Sequence, residues 1–291
     1  MYVKKTLNKR IKSDVTHCPI FCLKENDAKK RPTCSAAYAG VKFQRESMDN
    51  CPNREIYESL SSSFDRIDEA AWFVRLMEEN YHKADKFRWS LNSFLRTLKE
   101  IMQLVTMEVQ GDKKLMKLVT EKKSELSKDP LIGYLYKQRD IVVHKSMLKP
   151  ASSGSVGFTR GRGMKLGLSY PIDPLSDSEQ GIKNYIYHAA KETDFLGILY
   201  TEEDGGGEYT CVHRQWKLEQ FPGDEITTLA ATAWEKVAQA FFDVAGEMGA
   251  QLIRPTIKLG NPDHVHFEIY NPEWIKEQLE HAENWISENE I

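Results

Sequence analysis

The chain has 291 residues, enough to bury a sizeable core in one large or two modest domains. Charged residues make up 29% and aliphatic plus aromatic residues 41%, the balance of an ordinary soluble protein. No apolar run approaches the roughly 18 residues of a membrane span, and the basic start MYVKKTLNKRIKSDV lacks the apolar segment of a signal peptide, so a cytoplasmic protein with no membrane partner is expected.

The net charge of −3 is unevenly spread. Residues 1–47 hold eleven Lys/Arg against four Asp/Glu, a balance of +7 that leaves −10 on residues 48–291. An acidic body has no broad attraction for nucleic acid, so any RNA contact has to come from a local basic site or from the N-terminal arm. The five cysteines (Cys18, Cys22, Cys34, Cys51, Cys211) are odd in number and irregularly spaced, which fits reduced thiols better than a disulfide framework.

Residues 1–52 lack sustained periodicity and read as a disordered, basic, Cys-containing arm. Met48, just before the first patterned helix, offers an internal start that would make this arm dispensable. A zinc site from His17, Cys18, Cys22, Cys34 and Cys51 is the sharper alternative, but these spacings match no paired C-x2-C knuckle. From Asn53 the pattern turns helical. Ile56, Leu60, Phe64, Ile67, Ala71, Val74 and Met77 form one apolar stripe, and Phe87, Leu91, Phe94, Leu98, Met102, Val105 and Val109 a second that stops at Gly111. Leu115, Leu118, Val119 and Leu126 mark a third helix. Asp129-Pro130 then caps a fourth, which carries Leu131 and Leu135 and ends before Pro150. Four amphipathic helices with short connectors predict an antiparallel bundle over residues 53–150.

The run ASSGSVGFTRGRG within residues 151–165 reads as a Gly/Ser/Arg-rich loop. It is either a flexible connector or a cradle in which Arg160 and Arg162 grip substrate phosphates. Residues 166–291 read as an α+β region with two β-hairpins. One joins Asp194–Tyr200 to Glu208–Leu218 across TEEDGGG, the other Gln251–Leu259 to His264–Tyr270 across GNPD. Between them Ile226, Leu229, Ala233, Val237, Phe241 and Val244 predict a strong helix ending near Gly249, and a final helix holds Trp274, Leu279 and Trp285. Strand alternation in HVHFEIY would align His264, His266 and Glu268 on one face, as metal ligands or as an ordinary polar face. His213 and Cys211 read as packing residues.

The stretch YLYKQRDIVVHKSML carries the chemistry. Arg139 and His144 are separated by four residues, with Asp140 directly after the Arg. An imidazole moves protons and a guanidinium steadies phosphoryl charge, which suits phosphodiester cleavage without a metal. Two other pairs fit a gap of four to six residues, Arg10/His17 and Arg75/His82; one falls in the arm and the other straddles a helix end. Surface charge pairing is the bland alternative for Arg139 and His144.

With Arg139-Asp140-Ile141-Val142-Val143-His144 late in a helical bundle, and an aromatic-rich second helix Phe87–Met102, residues 53–148 resemble HEPN domains. The resemblance implies a mainly α fold, a homodimer that brings two Arg/His motifs around one cleft, and endoribonuclease action on an RNA substrate without a cofactor. His144 would move protons, Arg139 would neutralise phosphoryl charge, and Asp140 would orient either one. A toxin or defence role restrained by an antitoxin or other protein partner goes with that family. Some HEPN domains are not nucleases, so a dimerisation or partner-binding module stays open beside it. A metal-dependent hydrolase on His264, His266 and Glu268 is a weaker third reading.

Overall fold

The computed structural model describes residues 53–144, 148, 150–160, 164–192, 196–202 and 207–289, with the side chains of Val143, Arg160, Lys165 and Leu196 outside that description. The arm with its five candidate zinc ligands, the Arg10/His17 pair and Arg162 lie outside the described residues. The expected first helix is two, α1 (Arg54–Ser59) and α2 (Ser61–Glu79), broken at Leu60. Next come α3 (Ala84–Glu108), α4 (Lys113–Lys128) and α5 (Pro130–His144). Their starts follow from local chemistry. Asp112 accepts from the amides of Lys114 and Leu115, and Asp129 from those of Leu131 and Ile132, satisfying donors that a helix start leaves open. Among the described residues no helix is long and apolar enough to cross a membrane.

The bundle does not close on these helices alone. Helix α7 (Ile226–Glu247), placed by its sequence position in the C-terminal region, packs against α2, α3, α4 and α5. Most of its 22 residues are buried, including Trp234, Val237, Phe241 and Val244, as expected of a helix that is apolar on nearly all sides. The Trp234 indole N–H donates to the carbonyl of Ile67 at 2.9 Å, so the largest side chain at that interface buries no unpaired polar atom.

The second layer corrects three expectations. The Gly/Ser/Arg-rich loop is strand β1 (Ala151–Arg160), which pairs antiparallel with β2 (Met164–Tyr170) and with β3 (Glu208–Lys217). Its small residues serve close packing, not mobility: a Cβ on Gly157 would lie 1.9 Å from the Leu166 carbonyl oxygen, and one on Gly154 2.3 Å from Ile172 Cδ1. The hairpin expected between Asp194–Tyr200 and Glu208–Leu218 does not form. Leu196–Ile198 is a 3-10 turn, and β3 is flanked by β1 and by β4 (Phe267–Ile269). The hairpin expected from Gln251–Leu259 is also absent, since β4 pairs with β3 instead. Pro262 starts a short helix α8 (Pro262–Val265) capped by Asn261, and this removes His264 from any strand.

The sheet order is β2-β1-β3-β4, all antiparallel. Helices α6 (Ser178–Glu192) and α9 (Pro272–Glu288) pack on it around Val156, Ile182, Ile186, Val212 and Ile275, a core separate from that of the bundle. The overall class is therefore mainly helical with a small four-stranded sheet.

Candidate functional site

Helix α5 is unbroken through both motif residues. Leu131, Leu135 and Val142 face the core, which sets the phase of everything else on the helix. Arg139, four residues after Leu135, is turned about 40° from that residue, and His144, two after Val142, about 200° from that one. Arg139 is accordingly half-buried and His144 exposed on the last turn. The two are about 140° apart, so one helix cannot aim both at a single phosphate.

Asp140 links α5 to α3. Its carboxylate accepts from Lys99 Nζ at 2.7 Å and from Arg139 Nη1 at 3.3 Å. The Lys99 ammonium, helped by Arg139, holds the Asp140 carboxyl below the usual range, so it is a fixed anion at neutral pH. Asp140 thus touches Arg139 and not His144. The Arg139 Nε is buried without a hydrogen-bond partner. A second mark on α3 is Asn92, whose Oδ1 accepts from the Leu148 amide at 3.1 Å. Rising numbers from Asp140 to Leu148 meet falling numbers on α3, so α5 runs antiparallel to α3, and interpolation between the two marks puts His144 at about the level of Arg96.

Arg160, the other described candidate, is at the far end of β1, opposite Glu208. Ten extended residues span about 30 Å, so the strand carries Arg160 away from the exit of α5 within one protomer. Of the metal candidates, His264 is exposed in α8, and His266 caps that helix while Glu268 lies in β4. Among the described residues no three His, Cys, Asp or Glu side chains are placed to hold a metal ion.

A cluster that the sequence pattern does not assemble lies between the two cores. The turn after α2 inserts Tyr81 and His82 against β3, β4 and the start of α6. The Tyr81 hydroxyl donates to Glu225 at 2.8 Å, and the Trp216 indole donates to the Tyr81 carbonyl at 2.8 Å. His82 Nδ1 shares a 2.8 Å hydrogen bond with Ser178 Oγ and is 3.9 Å from Glu268 Oε2, while His82 Nε2 is buried with no partner. Tyr270 donates to Glu268 at 2.7 Å. His266 stacks on Tyr81 and His213 on Phe267, with ring centroids 4.7 and 4.5 Å apart.

Arg214 is fully buried beneath these groups, its guanidinium 3.8 Å from the Trp216 ring centroid and donating to Ser152, Ser176 and Asp173. Burial, reinforced by the Arg214 cation, pushes His82 down to about 3. Burial also lowers His213 and His266 and raises Glu268. Ser178 has no exposed surface, so this assembly is a joint between layers and not a nucleophile waiting for substrate. Its one sequence signal is the His-rich run HVHFEIY; His82 stands out in the sequence only as the partner of a rival motif.

Comparison with protein-family models, with curated proteins and with solved structures finds no match to this chain.

Proposed function

We propose that this protein is a metal-independent endoribonuclease of the HEPN type, working as a homodimer in which Arg139 and His144 of two copies face one RNA strand. The observation that carries the reading is the end of α5: an exposed imidazole on the last turn, about 1.4 turns beyond a guanidinium whose Nε has no partner. The angle of about 140° between them is the reason for a composite site, because a two-fold axis supplies both residues twice. One His144 accepts the proton of the ribose 2′-hydroxyl as that oxygen attacks the adjacent phosphorus. The other protonates the 5′-oxygen as the P–O5′ bond breaks, leaving a 2′,3′-cyclic phosphate and a 5′-hydroxyl. Arg139 neutralises charge on the non-bridging oxygens.

Asp140 favours a second reading. Its carboxylate already occupies both Lys99 and Arg139, which is what a non-catalytic dimerisation or partner-binding module would keep. Cleavage of mixed RNA in EDTA separates the two. The nuclease reading expects activity that falls by roughly 100-fold or more in His144→Ala and Arg139→Ala while fold and dimer persist. Unchanged cleavage in both variants removes the motif from the mechanism.

A further inference from the structure

Trp89 is 53% exposed on α3, unusual for the largest apolar side chain on a helix that otherwise buries its aromatic residues. Its position relative to His144 can be worked out. On α3, Lys99 marks the line that faces α5 through Asp140, and Asn92, about 20° from it, holds Leu148 beyond the end of that helix. Arg96 is turned about 40° from Asn92, and Trp89 about 60° in the same sense. On α5, Asp140 marks the line toward α3, and His144 is turned about 40° further. Because the helices are antiparallel, these rotations open to the same outer side of the pair, away from the bundle core. Lys137, seven residues before His144, shares its stripe. Arg96, Lys137 and His144 are all exposed.

The charge on this face is selective. Glu100 is paired with Arg66, Asp85 with Arg88, and Asp140 with Lys99 and Arg139. Arg96 and Lys137 carry no ion pair among the described residues. An otherwise acidic body therefore presents an aromatic plane and two unmatched cations beside the candidate catalytic imidazole. Along the helix axes Trp89 lies about 10 Å to one side of the His144 level and Lys137 about 10 Å to the other, at roughly 1.5 Å per residue.

We propose that single-stranded RNA runs along the α3–α5 face, with a base stacked on Trp89 and its phosphates following Arg96 and Lys137 past His144. This deepens the ribonuclease reading and rests on it. Stacking on an indole tolerates any base, while double-stranded RNA hides its base faces, so the track selects strandedness more than sequence.

The test uses a fluorescein-labelled 2′-O-methyl octa-adenylate, which lacks the nucleophile and so reports binding without cleavage. Trp89→Ala is expected to bind about tenfold more weakly and Trp89→Phe to recover most of the loss. Arg96→Ala and Lys137→Ala should each lower the slope of log affinity against log salt by about 0.7. Circular dichroism and gel filtration verify that the variants keep fold and oligomeric state. Equal binding by wild type and Trp89→Ala overturns the proposal. So does a Trp89→Ala protein that changes oligomeric state without weakening binding, since Trp89 then belongs to a protein interface. Trp89-dependent binding with no cleavage of unmodified RNA supports the track and removes the ribonuclease reading. His144-dependent cleavage with an unchanged KM in Trp89→Ala removes the track and leaves that reading standing.

Discussion

Acidification from pH 7.5 to 5.0 is expected to weaken the fold by about 2 kcal/mol through His82 alone. In the native state this imidazole has only 13% of its side chain exposed, has one unpartnered nitrogen, and meets charged groups from every neighbouring element. Lys83 flanks it on its own turn and pairs with Asp177 and Glu179 at the start of α6, Ser178 bonds it from α6, His213 and Arg214 face it from β3, and the Val265 backbone, His266 and Glu268 from α8 and β4. Burial, then Arg214, pushes it from 6.5 to about 3. A lowered histidine pKa means that the unfolded chain takes up protons first. The stability is present above about pH 6.5 and is lost as pH falls toward 3. Each pH unit in that window is worth about 1.4 kcal/mol, so falling about 1.5 units below 6.5 costs about 2 kcal/mol, and by pH 3 the loss approaches about 5 kcal/mol.

Glu268 acts in the opposite sense. Burial raises its pKa, so the native state binds that proton more readily and is relatively favoured as pH drops toward the ordinary carboxyl range. Its effect offsets part of the His82 loss, and it does so in wild type and in a His82 variant alike, so the difference between the two proteins isolates His82. The assay is urea unfolding followed by tryptophan fluorescence at pH 7.5 and 5.0, for wild type and His82→Asn. Asparagine keeps a polar partner for Ser178 and removes the titration. Wild type should lose about 2 kcal/mol more than the variant. Equal losses in both, or a folded-state His82 imidazole that titrates near 6.5 by NMR, would refute the reasoning.

Three further outcomes test the packing. Trp234→Ala removes the ring that joins α7 to α2 and should cost about 3–5 kcal/mol in denaturant unfolding, which ties the bundle's stability to a helix from the C-terminal half. Gly157→Ala forces a methyl into the backbone of β2, 1.9 Å from the Leu166 oxygen, and should cost at least about 1–3 kcal/mol in thermal unfolding, whereas a linker glycine would tolerate it. Asp129→Ala removes the cap of α5 and its contact with Lys236 and should lower stability by about 1 kcal/mol, read as a fall of a few degrees in Tm.

The bundle is legible in the sequence because its signals are local. Stripes at three- and four-residue steps, Gly111 after α3 and Asp129-Pro130 before α5 each state a helix boundary within a few residues. Periodicity also places α7 but not its neighbours, because an all-round apolar helix reveals burial without revealing in which core. β1 is hidden for a physical reason. ASSGSVGFTR has the composition of a linker, and only the close approach of Leu166 and Ile172 explains its glycines. The second hairpin fails at Asn261-Pro262, a helix start that reads equally well as a turn. At the motif, the five-residue step between Arg139 and His144 already implies that they diverge around the helix. Spacing carries nothing of Lys99 on Asp140, the antiparallel α3, or Trp89 and Arg96 on the same side as His144. Of the buried joint only HVHFEIY shows in the sequence, because His82, Ser178, Arg214 and Glu268 come from four separate segments of the chain.

Cleavage of RNA at the end of α5 is the proposed activity. Its most direct test is incubation of mixed RNA with wild type and His144→Ala side by side in EDTA, followed by analysis of the new ends. Wild type should yield fragments with 2′,3′-cyclic phosphate and 5′-hydroxyl termini, and His144→Ala none. Cleavage of equal extent by both proteins, or none by either, would contradict it.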